Sequence, residues 1–252
     1  MPSAELPLLT SPALPPPFRH GFTTRAGGVS PPPFDSLNLG TKWGDSRAAV
    51  EENRARVLRA SGARALAFAR QVHGARVLTV TSADVDDEEA DALCSDRPDL
   101  AVAVFVADCV PVLIVDPRTG AFAAAHAGWR GTVAGVLGAS VAAMSAAFGS
   151  RPADLRAALG PSIGPCCFEV GPEVAALFPA EVIHPGPRKP HVDLRAHQRR
   201  QLVELGLDPG AIDVLDACTR CDPARRFFSF RRDQTRTGMH LGFVGRPALT
   251  SP

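Results

Sequence analysis

Three side chains in this sequence have the chemistry to hold or activate a reactant: His73, Cys109 and His126. Two imidazoles and a thiolate form a donor set that suits zinc or copper. Three protein ligands leave a fourth tetrahedral position free, as at a catalytic zinc rather than a closed structural one. All three residues stand where apolar runs stop, the places at which functional groups gather on a rigid scaffold. Their spacing matches no short zinc motif, so folding must bring them together.

The elements that would do so run from Leu100 to Gly131, LAVAVFVADCVPVLIVDPRTGAFAAAHAGWRG. Its apolar runs are too short for helices and read as buried strands, with a hairpin around Asp116 to Gly120. If Val115 pairs with Ala121, Cys109 falls opposite Ala127, one step from His126. A register one residue looser sets Cys109 directly opposite His126, with cross-strand Cβ atoms roughly 5 Å apart. Pro111, having no N–H for the ladder, must then sit at an edge or bulge.

Around this centre, RHGFTT reads as a strand, and Ser46 caps a helix to about Ala60 with Gly62 as its stop. LAFARQVHGARVLTVT reads as two strands joined at His73-Gly74, and Asp84 to Asp91 as a solvated acidic loop. A core-facing helix should carry Val133, Val136, Leu137, Val141, Met144 and Phe148, with Met144 as packing. Further helices are expected over Pro172 to Phe178 and from the cap Asp193 to Gly206. Short strands are expected at Ile212 to Leu215, Phe227 to Phe230 and Leu241 to Val244. Strands and helices mix without a regular βαβ repeat, which indicates one α+β domain over residues 18–247 behind a Pro-rich extended leader, residues 1–17.

Charged candidates for the chemistry are Asp108, Glu169 and Asp233 among the acids, with Arg54, Arg130, Arg231 and Arg232 among the bases. Asp108 points away from Cys109 if the strand stays regular. Arg130 opens a helix, where free N–H groups favour an anion such as phosphate. Cys218-Thr-Arg-Cys221 is a lone CxxC. With Cys166 and Cys167 it could form a second metal site, but adjacent cysteines chelate poorly, so reduced structural thiols are expected; Cys94 reads as incidental.

The chain has 252 residues and a net charge of +1, which gives no reason to expect nucleic acid or a membrane surface as partner. Asp108 and Pro111 interrupt the longest apolar stretch, excluding a span there. Six scattered cysteines argue against a disulfide scaffold. A cytoplasmic compartment is the expectation.

TTRAGGVS, SLNLG, GDSRAAVEENR, QVHGARV, ADA, ADCVPVLIVD, AAAHAGWRG, ALGPSIGPCCFEVG and FFSFRRD occur in an order that resembles the laccase-domain, polyphenol oxidase-like family. That resemblance implies mixed β-sheets flanked by helices, like the catalytic domain of cytotoxic necrotizing factor. It also implies purine nucleoside phosphorylase activity on adenosine, inosine and methylthioadenosine, with adenosine deaminase activity, and a role as peptidoglycan editing factor. His73, Cys109 and His126 match the family's zinc trio. The family's Tyr near Phe168 and Phe230 is Phe here, and the chain has no Tyr at all, so no phenol acts there.

Zinc would lower the pKa of bound water toward 7 for attack at adenine C6. Arg54, Arg130 or Arg231 would hold phosphate during phosphorolysis, and Glu169, Asp108 or Asp233 would move the proton. A second reading makes Cys109 the nucleophile and His126 the base of an amidase acting on cell-wall precursors. Copper oxidation of phenols is the weakest, since no His-x-His pair exists for a multicopper cluster, although one His₂Cys site could take copper adventitiously. A structural zinc would need a fourth ligand, which Cys166 or Cys167 could supply.

Overall fold

The apolar run from Leu100 to Val115 is divided between two sheets by three residues, Ala107 to Cys109. The computed structural model describes residues 6–247. Its first strands are β1 (Leu8–Leu9), β2 (Arg19–Thr23), β3 (Ala65–Ala67), β4 (Val77–Thr79) and β5 (Ala92–Ser95). They are followed by β6 (Leu100–Val106), β7 (Val110–Val115), β8 (Phe122–Ala127) and β9 (Arg156–Leu159). The last are β10 (Ile183–His184), β11 (His191–Val192), β12 (Ile212–Val214) and β13 (His240–Gly245). One sheet has the order β1-β2-β13-β6-β3, a second has β12-β9-β7-β8-β5-β4, and β10 pairs with β11 alone. Parallel and antiparallel pairs occur in both larger sheets, as expected of mixed sheets in one α+β domain.

Side-chain alternation along β7 shows how the layers stack. Leu113 and Val115 join Val102, Val104, Phe22 and Val244 in a core between the two sheets. Val112 and Ile114 face the other way, onto helices α3 and α5 described next. The helices are α1 (Arg47–Ser61), α2 (Trp129–Val133), α3 (Val136–Phe148), α4 (Pro172–Ala175), α5 (Leu194–Glu204) and α6 (Phe230–Asp233). Helix α1 covers the outer face of the five-stranded sheet through Val57, beside Leu241 and Phe243. Met144 is fully buried in α3, packing as expected.

Caps explain the helix limits. Ser46 accepts the Ala49 N–H, and Gly62 closes α1 in the left-handed region at φ 69°. Asp193 accepts the Ala196 N–H at the head of α5. The single helix expected after Gly131 is two, because Gly135 turns left-handed at φ 85° between α2 and α3. The strand expected at Phe227 to Phe230 is not formed. The Phe228 N–H is taken by His240 Nε2 at 2.7 Å, and Ser229 caps α6 by accepting the Arg232 N–H. With these groups satisfied by side chains, no ladder is needed. Residues 8 and 9 pair with β2, and Leu14 and Phe18 are buried in the inter-sheet core.

The hairpin register also differs from expectation. Asp116 pairs with Ala121 and Val115 with Phe122, so His126 lies opposite Pro111 and Cys109 opposite no strand residue. The Asp116 carboxylate accepts the N–H groups of Arg118 and Thr119, which fixes the turn one residue tighter. Pro111 belongs to a central strand, but its carbonyl accepts the Gly160 N–H beyond the last β7–β9 partners, so its missing donor falls past the ladder's end.

Candidate metal centre

Two bends and one strand bring the three ligand candidates together. His73 lies in the bend between β3 and β4, Cys109 in the bend between β6 and β7, and His126 in β8. Their ring nitrogens and sulfur lie within 4.8 Å of one another. The imidazoles meet edge to face, with centroids 4.8 Å apart. His126 is buried, Cys109 half-buried and His73 exposed, so the trio opens toward solvent on the His73 side.

The bend at His73 is wrapped around Asp91. The carboxylate accepts the backbone N–H groups of Val72 at 3.1 Å, His73 at 2.8 Å and Gly74 at 2.7 Å. It also accepts the His126 Nδ1–H at 2.8 Å, while the Asp91 carbonyl takes the His126 N–H at 2.7 Å. One buried acid thus positions both histidines. Burial pushes the Asp91 carboxyl up, but His126 and the amides of Gly74 and Val72 outweigh it and hold the group below the usual carboxylate range. His73 adopts φ 63°, a conformation L residues avoid, and the three amides converging on Asp91 hold it there. From the other side, Gln71 exchanges two hydrogen bonds with the Phe105 backbone, tying the bend to β6.

Cys109 is placed by a second strained residue. Asp108 has φ 86°, so the strand alternation expected to separate the two side chains does not apply. Its Oδ1 accepts the Thr219 hydroxyl at 2.5 Å, its Oδ2 accepts the Arg231 N–H at 2.6 Å, and its carbonyl accepts the Ile163 N–H at 2.9 Å. Gly128 completes the fit, because a Cβ there would stand 2.7 Å from the Cys109 sulfur. Only glycine lets β8 run on past that sulfur without displacing it.

Burial pushes the Cys109 thiol up, yet His126 and His73 outweigh it and bring the pKa down to about 6. For His126, burial pulls the pKa down, while Cys109 and Asp91 raise it to about 9. The pair is therefore thiolate and imidazolium near neutral pH. With Nδ1 committed to Asp91, Nε2 is the nitrogen left for a cation, the arrangement by which carboxylates orient metal-ligating histidines. One thiolate and two imidazoles, one of them oriented this way, fit zinc or copper.

The remaining candidates lie in different settings. The Arg231 guanidinium donates to the Glu169 carbonyl at 2.8 Å and lies over the Phe168 ring, and its backbone joins it to Asp108. The Glu169 carboxylate is half-buried, and no partner holds it among the described residues. Arg130 is exposed over the Trp129 ring, two residues beyond Gly128. Arg54 lies over Phe68 and Phe105 with its Nε on the Leu39 carbonyl, a packing position. Asp233 is engaged by Arg232 through both carboxylate oxygens. Cys166 and Cys167 are not part of the trio; their sulfurs gather elsewhere, with those of Cys218 and Cys221.

Asp91, Gln71, Thr219 and Gly128 are the residues that sequence reasoning passed over. Asp91 had a signal: unlike its acidic neighbours, it abuts the apolar run of β5, where a solvated charge has no place.

The model of a family described as multi-copper polyphenol oxidoreductase laccase matches residues 19–247. A purine nucleoside phosphorylase of Deinococcus radiodurans is 40% identical, covering 98% of this chain and 96% of its own. The purine nucleoside phosphorylase LACC1 of Mus musculus is 37% identical over 95% of this chain, which spans 58% of that longer protein. The crystal structure of YlmD from Geobacillus stearothermophilus superposes with a TM-score of 0.85 at 34% identity, covering 94% of each chain.

Proposed function

The chain belongs to the multi-copper polyphenol oxidoreductase laccase family, and within it we propose a zinc-dependent purine nucleoside phosphorylase that also deaminates adenosine. The observation that carries this reading is the oriented trio: His73, Cys109 and His126 within 4.8 Å, with Asp91 fixing the His126 ring and the His73 backbone. The naming of relatives 37–40% identical over nearly the whole chain supports the choice of purine nucleosides. No helix of the described residues is long and apolar enough to cross a membrane.

Zinc held by His73, Cys109 and His126 would supply a Lewis acid and a water acidified toward neutrality. The chain's own residues would do the rest. Arg231 holds phosphate beside Cys109, with Arg130 adding positive charge at its approach, while Arg54 stays packed on Phe68 and Phe105. Phosphate oxygen bonds to ribose C1′ as the C1′–N9 bond breaks, and the purine leaves with that electron pair and a proton. Glu169, whose carboxylate is half-buried and uncommitted, carries that proton, and in deamination it moves the proton to the leaving ammonia. Asp108 and Asp233 are positioning residues, since their oxygens are already engaged.

The thiolate of Cys109 beside the imidazolium of His126 favours one second reading, a cysteine nucleophile in an amidase acting on peptidoglycan precursors. Multicopper oxidation finds less support, because the two groups of candidate ligands among the described residues contain only His73 and His126 as imidazoles.

The test is an assay of the zinc-loaded protein with inosine or adenosine and inorganic phosphate, reading ribose 1-phosphate, free base and ammonia. Phosphate-dependent release of base, abolished by Cys109→Ala, is expected. Base release that survives that substitution, or an acyl adduct on Cys109 in metal-free protein, overturns it.

A further inference from the structure

Cys166, Cys167, Cys218 and Cys221 stand apart from the trio and form a group of their own in space. Their four sulfurs lie within 4.8 Å of one another, and Cys166 and Cys221 are 3.5 Å apart. All are free thiols. Sulfurs on a zinc ion at about 2.3 Å in tetrahedral array stand roughly 3.8 Å from each other. Adjacency of Cys166 and Cys167 does not prevent this, because a turn through residues 165–167 lets both sulfurs face one centre.

We propose that these four cysteines form a second, closed metal site that binds zinc as a tetrathiolate and braces the turn carrying Cys109. The turn Cys218-Thr-Arg-Cys221 is shaped for thiolates. The backbone N–H groups of Gly164, Cys221 and Arg220 point at the Cys218 sulfur, the first at 3.3 Å. Such donors stabilise a charged sulfur and orient it, the outer-shell support that metal ligands carry. Arg220 adds a cation, donating to the Cys167 sulfur at 3.6 Å. Gly164 fits against the group, since a Cβ there would stand 3.3 Å from the Cys166 sulfur. Zinc binding would release the thiol protons to solvent.

The site joins two loops that otherwise meet through Ser162 and Cys218. Those loops supply Ile163 and Thr219, the partners of the Asp108 carbonyl and carboxylate. A zinc here therefore secures the clasp that holds Asp108 in its strained conformation next to Cys109. With four protein ligands it has no open position, which makes it structural where the trio is open.

The test is metal counting and cobalt spectroscopy on the full chain, prepared under reductant. Two equivalents of zinc are expected in the wild type, one in Cys109→Ala, and one in the double variant Cys166→Ser, Cys221→Ser. Cobalt in Cys109→Ala should give the strong sulfur-to-metal charge transfer and red-region absorption of four-thiolate tetrahedral coordination. A single equivalent in the wild type that Cys109→Ala removes overturns the proposal. So does a Cys166–Cys221 disulfide in wild-type protein that, once reduced, still takes up only one equivalent. Should the double variant fail to fold, cobalt titration of the wild type decides, by a second equivalent with or without the four-thiolate signature.

Discussion

His73, Cys109 and His126 come from the junctions and body of the sheets, and two of them are held by a carboxylate that is itself buried between strands. Cys166, Cys167, Cys218 and Cys221 come from turns, held by backbone N–H groups and by Arg220. The first group has three donors and an exposed histidine; the second has four donors and closes on itself. Donor number and scaffold together separate the two. Three ligands fixed by rigid strands leave room for a reactant, while four ligands gathered from loops spend every position on holding the loops together.

The sharpest way to break this contrast is to remove one ligand from each group. Cys109→Ala should reduce phosphorolysis to background, a loss beyond the roughly 100-fold that outer-shell changes reach. Its melting temperature should change little beyond the contribution of the lost metal. The pair Cys166→Ser, Cys221→Ser should do the reverse. Its melting temperature should fall, by about 2–4 °C for each kcal/mol lost in a domain of this size, while kcat at saturating zinc stays within a few fold. Steady-state kinetics and calorimetry on both proteins check this. Equal loss of activity in both would merge the two groups into one functional unit.

A smaller effect probes what orients the open group. Asp91→Asn keeps the shape but loses the charge that His126 and the three amides share. Zinc affinity or kcat/KM should drop about 10–100-fold, and zinc binding to the four cysteines should be unaffected. Competitive titration with a chelator reads both sites. A Gly128→Ala variant should act in the same direction, because its methyl would intrude on the Cys109 sulfur.

Much of the scaffold was legible because local chemistry dictated it. Ser46 and Gly62 bounded α1, and the uninterrupted apolar runs marked β6, β7 and β8 as buried strands. The trio was legible too, since His73, Cys109 and His126 all flank such runs. What could not be read was register and partner choice. The tighter turn depended on the Asp116 side chain capping residues 118 and 119, and the strand expected at Phe227 was displaced by the imidazole of His240. Asp91 looked like the end of a solvated acidic run, because nothing local says which backbone amides will converge on it. A joint site of the four cysteines was set aside for the adjacency of Cys166 and Cys167, because Cys166 and Cys221 meet only after the chain has folded.

The smallest effect expected is acid sensitivity, and it separates the metal groups from the rest of the fold. His240 is fully enclosed; burial, with Arg25 nearby, pulls its pKa down to about 3, although it accepts the Phe228 N–H. An unfolded histidine titrates near 6.5. Between those values the unfolded chain holds a proton that the native chain does not, so stability falls as pH falls, by up to about 1.4 kcal/mol per pH unit. His240→Gln, which can still accept the Phe228 N–H through its amide oxygen, should flatten the slope of stability against pH by about one proton. Denaturant titrations between pH 4 and 7 in the presence of chelator, with both metal groups emptied, measure that slope. If it is unchanged in His240→Gln, acid lability arises at the clusters themselves, and the division into an open reactive group and a closed bracing one must carry the pH dependence as well.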